Sequence, residues 1–493
     1  MLQFFGRSDT VEALQFLARQ DQLTVFVGAG ASKEAALPTW AELVKNLVSR
    51  AVTRRGWITQ AEWLAERVLE NDLLGAAERV EVLLPQNTLA DAIRKQLYQG
   101  TSPAAFQPGP LTQGVAEIQA AFGGAARVVT TNYDQLLLTA LRDRGLEAHS
   151  YCCATNKPGI VHLHGVLGYE EPDDGKNEIV LTERHFLAPS SGWRTEFLRD
   201  ALSRPCLFLG ASMTDLNILR SLHAQQSVRR PLHRVLFVRD PALDRTDLQR
   251  RAALEQIETK RWRRLGVVPL FADNFADVAQ FAFELAQLRR GPTESLSDRF
   301  TAWYQGQARS VLSQDPSAFR RNQIVLSDEL AKVVAGIRAD FALQGEVLSL
   351  GVCVLVPPAE DCEHQERAVN WVVSDRAMTT PETIEYLRLA ETSAWTVVKA
   401  ICAGASRLEQ KAVYASRWHL VWAEPVFMPF PRRMPVGAVA LSSRAPLGSS
   451  LLPVPDSARG LDPDAYSSLR RAIIDAGQAV LVNPLTQPSG MLN

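Results

Sequence analysis

The sequence has no apolar run near the ~20 residues that cross a bilayer, so no membrane-spanning helix is expected. It lacks charge of one sign: Lys and Arg number 53 against 54 Asp and Glu. No overall field therefore draws nucleic acid or an anionic membrane surface. The best local basic run, Arg261-Trp262-Arg263-Arg264, reads as a solvated helix face. Cysteine is scarce, six residues at 152, 153, 206, 353, 362 and 402, and none forms a Cys-x-x-Cys pair. That excludes the usual zinc modules and a thioredoxin-type site. Scattered single cysteines fit a reducing compartment, so a cytoplasmic location is expected, with Cys152-Cys153 as buried filler. Arg7, Asp9 and Glu12 stand where a signal peptide needs an apolar core, so export is not expected. No internal repeat is visible.

What is present is a globular balance, 46% hydrophobic and 22% charged, over 493 residues, more than one ordinary domain. In the first half, short apolar runs alternate with amphipathic stretches. Strands are predicted at 23–27, 127–130, 160–163, 206–209, 235–238 and 267–270. Helices are predicted at 40–55, 60–84, 88–98 and 115–122. Short Val/Ile/Leu-rich strands between helices indicate an α/β fold, a Rossmann-like parallel sheet covered on both faces with helical insertions. Breakers at Arg289-Arg290-Gly291-Pro292-Thr293-Glu294-Ser295 suggest a boundary. The expected division is 1–291, a linker or helical segment 292–326, and 327–493. Beyond the boundary the order is helix 327–341, hairpin 347–356 with 368–373, a mostly helical 380–406, strands 419–427 and 436–442, and helix 465–482. That is an α+β order, unlike the first half.

Four polar turns each follow a predicted parallel strand. They are Gly28-Ala29-Gly30-Ala31-Ser32, Thr130-Thr131-Asn132-Tyr133-Asp134, His162-Leu163-His164-Gly165 and Gly210-Ala211-Ser212-Met213-Thr214-Asp215. Ligands of parallel sheets bind where the carboxyl ends of strands meet loops, so these turns should converge on one crevice. A lone Gly-x-Gly turn says little. The third glycine of the dehydrogenase fingerprint is missing near Lys33, and no acid-tipped second strand follows, which disfavours hydride transfer.

These four motifs, in this order and with Leu37-Pro38 after the first, resemble the sirtuin superfamily over Val11 to Leu288. The resemblance implies NAD as substrate. Gly28, Ala29, Gly30 and Ser32 would cradle its phosphates, and Asn132 and Asp134, with Thr131, would hold the ribose and nicotinamide. His164 would be the catalytic base, and Gly210 and Ser212 would contact the adenosine side. Asp215 belongs to the binding set or caps the helix that follows it. Two departures stand out. Ala36 replaces the glycine before Leu37-Pro38, and only Cys206 lies between His164 and Gly210 where deacylases carry four zinc cysteines. No zinc is expected, and a groove for acyl-lysine is in doubt. The pattern looks more like divergent prokaryotic sirtuin-like domains that hydrolyse NAD, many of them effectors of anti-phage defence.

Cleaving the nicotinamide–ribose bond creates an oxocarbenium-like ribose, which needs an apolar pocket, one oriented water and a proton acceptor. Asn132 and His164 suit the last two, because histidine is the side chain that titrates nearest neutrality. Asn132 and Asp134 have a plainer reading as caps of the helix starting near Gln135. His162, alternating with His164 along its strand, reads as structural, and His185 as surface or core.

The second half carries no catalytic cluster. Its element order, with the late strand Pro435–Leu441, resembles a GAF-type sensor domain. That implies a small-molecule or protein activator, a homo-oligomer, or both, gating an NADase that aborts infection. Trp371, Trp395, Trp418 and Trp422 either line its pocket or build its core. Two alternatives remain open: a protein deacylase or ADP-ribosyltransferase, and a non-catalytic nucleotide-binding module.

Overall fold

The computed structural model describes residues 2–33, 35, 37–54, 56, 63, 67, 73–85, 88–98, 107–155, 159–169, 178–187, 192–225, 232–239, 248–308, 316–341, 343, 347–356, 367–371, 385–411, 418–429, 433–444 and 463–482. Ala36, Cys362 and parts of the predicted 60–84 and 380–406 segments lie outside these residues.

The first sheet is parallel and seven-stranded. Its strands are β1 (Leu23–Val27), β2 (Ala126–Thr130), β3 (His149–Tyr151), β4 (Gly159–His162), β5 (Cys206–Leu209), β6 (His233–Val238) and β7 (Val267–Ala272). The order is β3-β4-β2-β1-β5-β6-β7. After β4 the chain crosses to the far side of β1 to place β5, the arrangement that opens a crevice at strand carboxyl ends. All five residues of β1 and all four of β5 are buried, as expected for a sheet covered on both faces. Val25, Val27, Leu207 and Leu209 point into one core with the helices Pro110–Phe122 and Phe275–Arg290. Phe26 and Phe208 point into the other, their rings stacked at 4.7 Å. Strand β3 escaped sequence reading because His149-Ser150-Tyr151 has three partly exposed residues and no apolar signal.

Three helices between β1 and β2, Trp40–Arg54, Leu73–Leu83 and Leu89–Leu97, build a separate core. It closes over Tyr133 and Leu136 after β2 and over Leu167, Ile179 and Leu181 after β4. Helical spacing in Trp40–Arg54 puts Leu43, Val44, Leu47, Val48 and Ala51 on its buried side. This inserted module therefore sits on the same end of the sheet as the four polar turns.

The second sheet is antiparallel and six-stranded: β8 (Leu348–Val356), β9 (Arg367–Trp371), β10 (Glu385–Arg388), β11 (Arg407–Gln410), β12 (Leu420–Phe427) and β13 (Pro435–Ser443). Their order is β10-β9-β8-β13-β12-β11. Among the described residues of the predicted mostly helical 380–406 segment, the structure has strand β10 and one helix, Thr396–Ala403, so the segment is less helical than expected. Four-residue edge strands such as β10 and β11 carry too little alternation to be read from sequence. Trp422 is core, stacked on Tyr466 at 4.8 Å, whereas Trp395 is exposed.

The two sheets meet through the helix Phe275–Arg290. Gln280 donates to the Arg433 carbonyl (2.8 Å). The Arg433 guanidinium sits between the rings of Phe283 (4.1 Å) and Phe427 (3.9 Å). Among the described residues no helix is long and apolar enough to cross a membrane. Among the same residues no group of three or more His, Cys, Asp or Glu is placed to hold a metal ion. Cys153 is exposed and Cys152 half-buried, contrary to the buried-filler expectation. Trp262 alone of its basic run is buried, its indole donating to Glu258 (2.9 Å).

Candidate active site

Four strand ends lie in one row. In register, His162 of β4 pairs with Thr130 of β2, Thr130 with Val27 of β1, and Val27 with Leu209 of β5. The turns that follow therefore emerge side by side, as the sequence predicts.

The glycines of the first and last turns are there because the two backbones touch. Gly30 N–H donates to the Gly210 carbonyl (2.9 Å), and Gly28 N–H to the Leu209 carbonyl (3.0 Å). A Cβ on Gly28 would lie 2.6 Å from the Ala211 Cα, and one on Gly30 2.9 Å from the Gly210 Cα. Gly210 itself has φ +60°, in the left-handed region that favours glycine. The amides of Ala31 and Ser32 are also engaged, with the Gly28 and Ala29 carbonyls at 3.1 Å each. Of the expected phosphate-cradling residues, Gly28 and Gly30 thus use their amides to fasten the first turn to the last, and Ser32 uses its amide inside the first turn. Ala29 and Gly30 remain half-buried at the tip, and Ser212, exposed, pairs with Thr214 (2.7 Å) at the rim.

Asn132 is the most constrained polar side chain of the set. Its Nδ2 donates to the Gly28 carbonyl (3.1 Å) and to Ser32 Oγ (2.8 Å). A carbonyl only accepts, so the amide orientation is determined. Ser32 Oγ in turn donates to Asp134 Oδ2 (2.5 Å), and Asp134 Oδ1 accepts from Leu136 N–H (3.0 Å). Burial pushes the Asp134 carboxyl up, against the lowering by these two bonds. Asp134 thus supports the helix start, but Asn132 does not. Asn132 Oδ1, buried, has no hydrogen-bond partner among the described residues. Thr131 is half-buried, its amide 3.4 Å from the Val27 carbonyl.

The Asn132 backbone is held as well. Thr130 Oγ1 donates to the Val27 carbonyl (2.8 Å) and accepts from Asn132 N–H (3.0 Å). His162 Nδ1 lies 2.9 Å from the Asn132 carbonyl, so this nitrogen carries the proton, and Nε2 accepts from Ser150 Oγ (3.2 Å). Burial pulls the His162 imidazole down to about 4, partly offset by its bond to Asn132. His162 is structural, as expected, but what it supports is Asn132.

His164 emerges next, 8% exposed, with the edge of Phe186 against its ring at 5.3 Å. Its Nε2 is 2.7 Å from Asp215 Oδ2. Neither atom has an aligned hydrogen bond among the described residues, so the pair is defined by its short separation. Asp215 Oδ1 accepts from Ile218 N–H (2.8 Å) as the N-cap of the helix Leu216–Ala224. Burial raises the Asp215 carboxyl, but His164 and the Ile218 and Asn217 amides outweigh it and hold it below the usual range. His185 is half-buried, its Nδ1 near Thr182 Oγ1 (3.0 Å). Sequence reading missed Asn217, whose buried Nδ2 has no partner. Its place in the first turn after a capping Asp was the available signal.

The structure thus brings Gly28, Gly30, Ser32, Asn132, Asp134 and Gly210 into one bonded cluster and pairs His164 with Asp215. Ser212 lies at the edge. A separate cavity of about 380 Å³ opens at the opposite, amino end of β2 and β4, lined by Arg127, Leu141, Gly159 and Arg204 among others.

Residues 126–261 match the family model described as a SIR2-like domain. That stretch holds Asn132, Asp134, His164, Gly210, Ser212 and Asp215, and leaves the Gly28–Ser32 turn outside. A curated relative, uncharacterized protein y4cA of Sinorhizobium fredii (strain NBRC 101917 / NGR234), is 23% identical over 435 residues. The alignment covers 83% of this chain and 30% of that protein, so the chain spans under a third of its relative's length. A solved chain described as the crystal structure of a Sir2 homolog–NAD complex is 16% identical, with a TM-score of 0.33. It is covered over 94% of its length and this chain over 57%.

Proposed function

We propose that the crevice at the carboxyl end of the parallel sheet binds NAD and hydrolyses its nicotinamide–ribose bond. The observation that carries this reading is Asn132 Oδ1, a buried acceptor with no partner, fixed by two bonds to its own amide nitrogen. An unmet buried acceptor costs about 1–3 kcal/mol, so its retention marks a place for a donor supplied by a ligand. A ribose hydroxyl, a carboxamide NH₂ or a water meets that need, and nicotinamide riboside with its attacking water offers all three.

In the hydrolysis, the glycosidic electron pair leaves with nicotinamide and the oxygen of water bonds to the ribose carbon. The released proton passes to His164. Asn132 orients the water or the ribose hydroxyl, and the Tyr133 and Phe186 rings near His164 keep bulk water out. The diphosphate runs past the half-buried Ala29–Gly30 tip towards the exposed hydroxyls of Ser212 and Thr214, since the neighbouring amides are already bonded. Thr131 and Gly210 complete the binding set.

The wider role is an effector that depletes NAD during infection in the cytoplasm. The second sheet acts as a GAF-like sensor for an activator or a second copy, and residues 292–326 join the halves as a linker or helical segment that includes the helix Leu296–Trp303 and the start of the helix Pro316–Asp340. The docking of Arg433 onto the helix Phe275–Arg290 supports communication between the two halves. Incubating the purified chain with NAD tests the core claim. Nicotinamide and ADP-ribose should accumulate with the wild type and with neither Asn132→Ala nor His164→Ala. Equal product from all three would falsify it.

A further inference from the structure

We infer that Asp215 is the positioning residue of His164, so that a carboxylate–imidazole pair, rather than a lone histidine, stands at the end of β4. The inference rests on the NAD-cleaving reading above and deepens it. It also moves Asp215 from the ligand-binding set to the support of the base.

Three features carry it. First, the pair is sheltered: Nε2 and Oδ2 are 2.7 Å apart, with side chains 10% and 11% exposed. Second, the two carboxylate oxygens have separate tasks. Oδ1 caps the helix through Ile218 N–H, with the Asn217 amide close by, and a cap needs no charge, because Asn and Ser cap about as well as Asp. Oδ2 is surplus to capping, and it is the atom that faces His164. Third, the loop stores strain to deliver it. Met213 has φ +58°, in the left-handed region that disfavours any residue with a side chain. Its side chain is buried in the core with Phe26 and Phe208, so the loop is pinned on both sides of Thr214. Strain held this way beside a sheltered charge is characteristic of functional loops.

Replacing Asp215 separates its two tasks. Asp215→Asn and Asp215→Ser keep a capping side chain and remove the charge, whereas Asp215→Ala removes both. Both capping variants should melt close to the wild type. Their kcat for nicotinamide release should fall about 10²-fold, the scale of general-base help, with KM little changed. Full rates in the Asn and Ser variants would overturn the inference, leaving a plain cap. A rise in KM alone would also overturn it, making Asp215 a ligand of NAD. A second readout is independent of turnover. The ring ¹⁵N signals of His164, assigned with His164→Gln, should move in Asp215→Asn, and unmoved signals would overturn the pairing. Signals that move in Asp215→Asn while the wild type cleaves no NAD would uphold the pairing and count against the proposed function.

Discussion

The two sheets bury polar side chains in different ways. In the antiparallel sheet Glu424 is 1% exposed, and its Oε1 accepts from the Trp422 indole (2.8 Å) and from Arg470 Nε (3.1 Å). In the parallel sheet one group of buried polar side chains gathers at the carboxyl ends of the strands. There Asn132 Oδ1 goes unpaired, His164 and Asp215 meet without an aligned bond, and Met213 is held in a left-handed conformation. Glu424 is satisfied where it lies and serves stability, whereas Asn132 Oδ1 is left for the donor that the proposed ligand would bring.

That contrast is open to attack from several sides. Asn132→Ala should have the largest effect, at least a 10²-fold loss of NAD cleavage, with a stability loss of about 1–3 kcal/mol because the buried Gly28 carbonyl and Ser32 hydroxyl lose their donor. Steady-state rates and calorimetry check both. Ser32→Ala comes next. It removes the link between Asn132 and Asp134 and leaves a buried carboxyl with one bond fewer, so it should cost about 1–3 kcal/mol in urea titration. Cleavage should fall by roughly tenfold, or 1.4 kcal/mol. Glu424→Leu in the other sheet should destabilise by a similar amount, because Trp422 and Arg470 lose their shared acceptor, yet change cleavage less than about twofold. A large catalytic loss there would erase the distinction between the sheets.

The smallest effect concerns acid. His162 titrates near 6.5 when unfolded and at about 4 in the folded chain, so between those values the unfolded state binds more protons. Stability should therefore fall as pH drops through that window and be flat above it. His233, also pulled down to about 4 by burial, adds to the same slope. Denaturation midpoints from pH 7 to 4 should show a shallower decline in His162→Gln than in the wild type.

Much of the parallel half was legible because its strands are short, wholly apolar and followed by polar turns; six of seven could be placed from sequence. The convergence of Asn132, His164 and the glycine turns followed from strand ends in a parallel sheet. The purpose of the glycines did not, because whether an amide faces a phosphate or a neighbouring loop depends on how β1 and β5 pack. Nor could sequence show that His162 supports Asn132, since that bond crosses from β4 to β2. In the second half the edge strands β10 and β11 are four residues each, too short for period-two alternation to stand out.

The most direct test is a crystal structure of the Asn132→Ala chain soaked with NAD, the variant that should bind and not cleave. The account predicts intact NAD across the row of strand ends, its nicotinamide riboside beside residue 132 and His164 and its diphosphate along Ala29 and Ser212. Dinucleotide bound elsewhere, or none bound at saturating concentration, would contradict it.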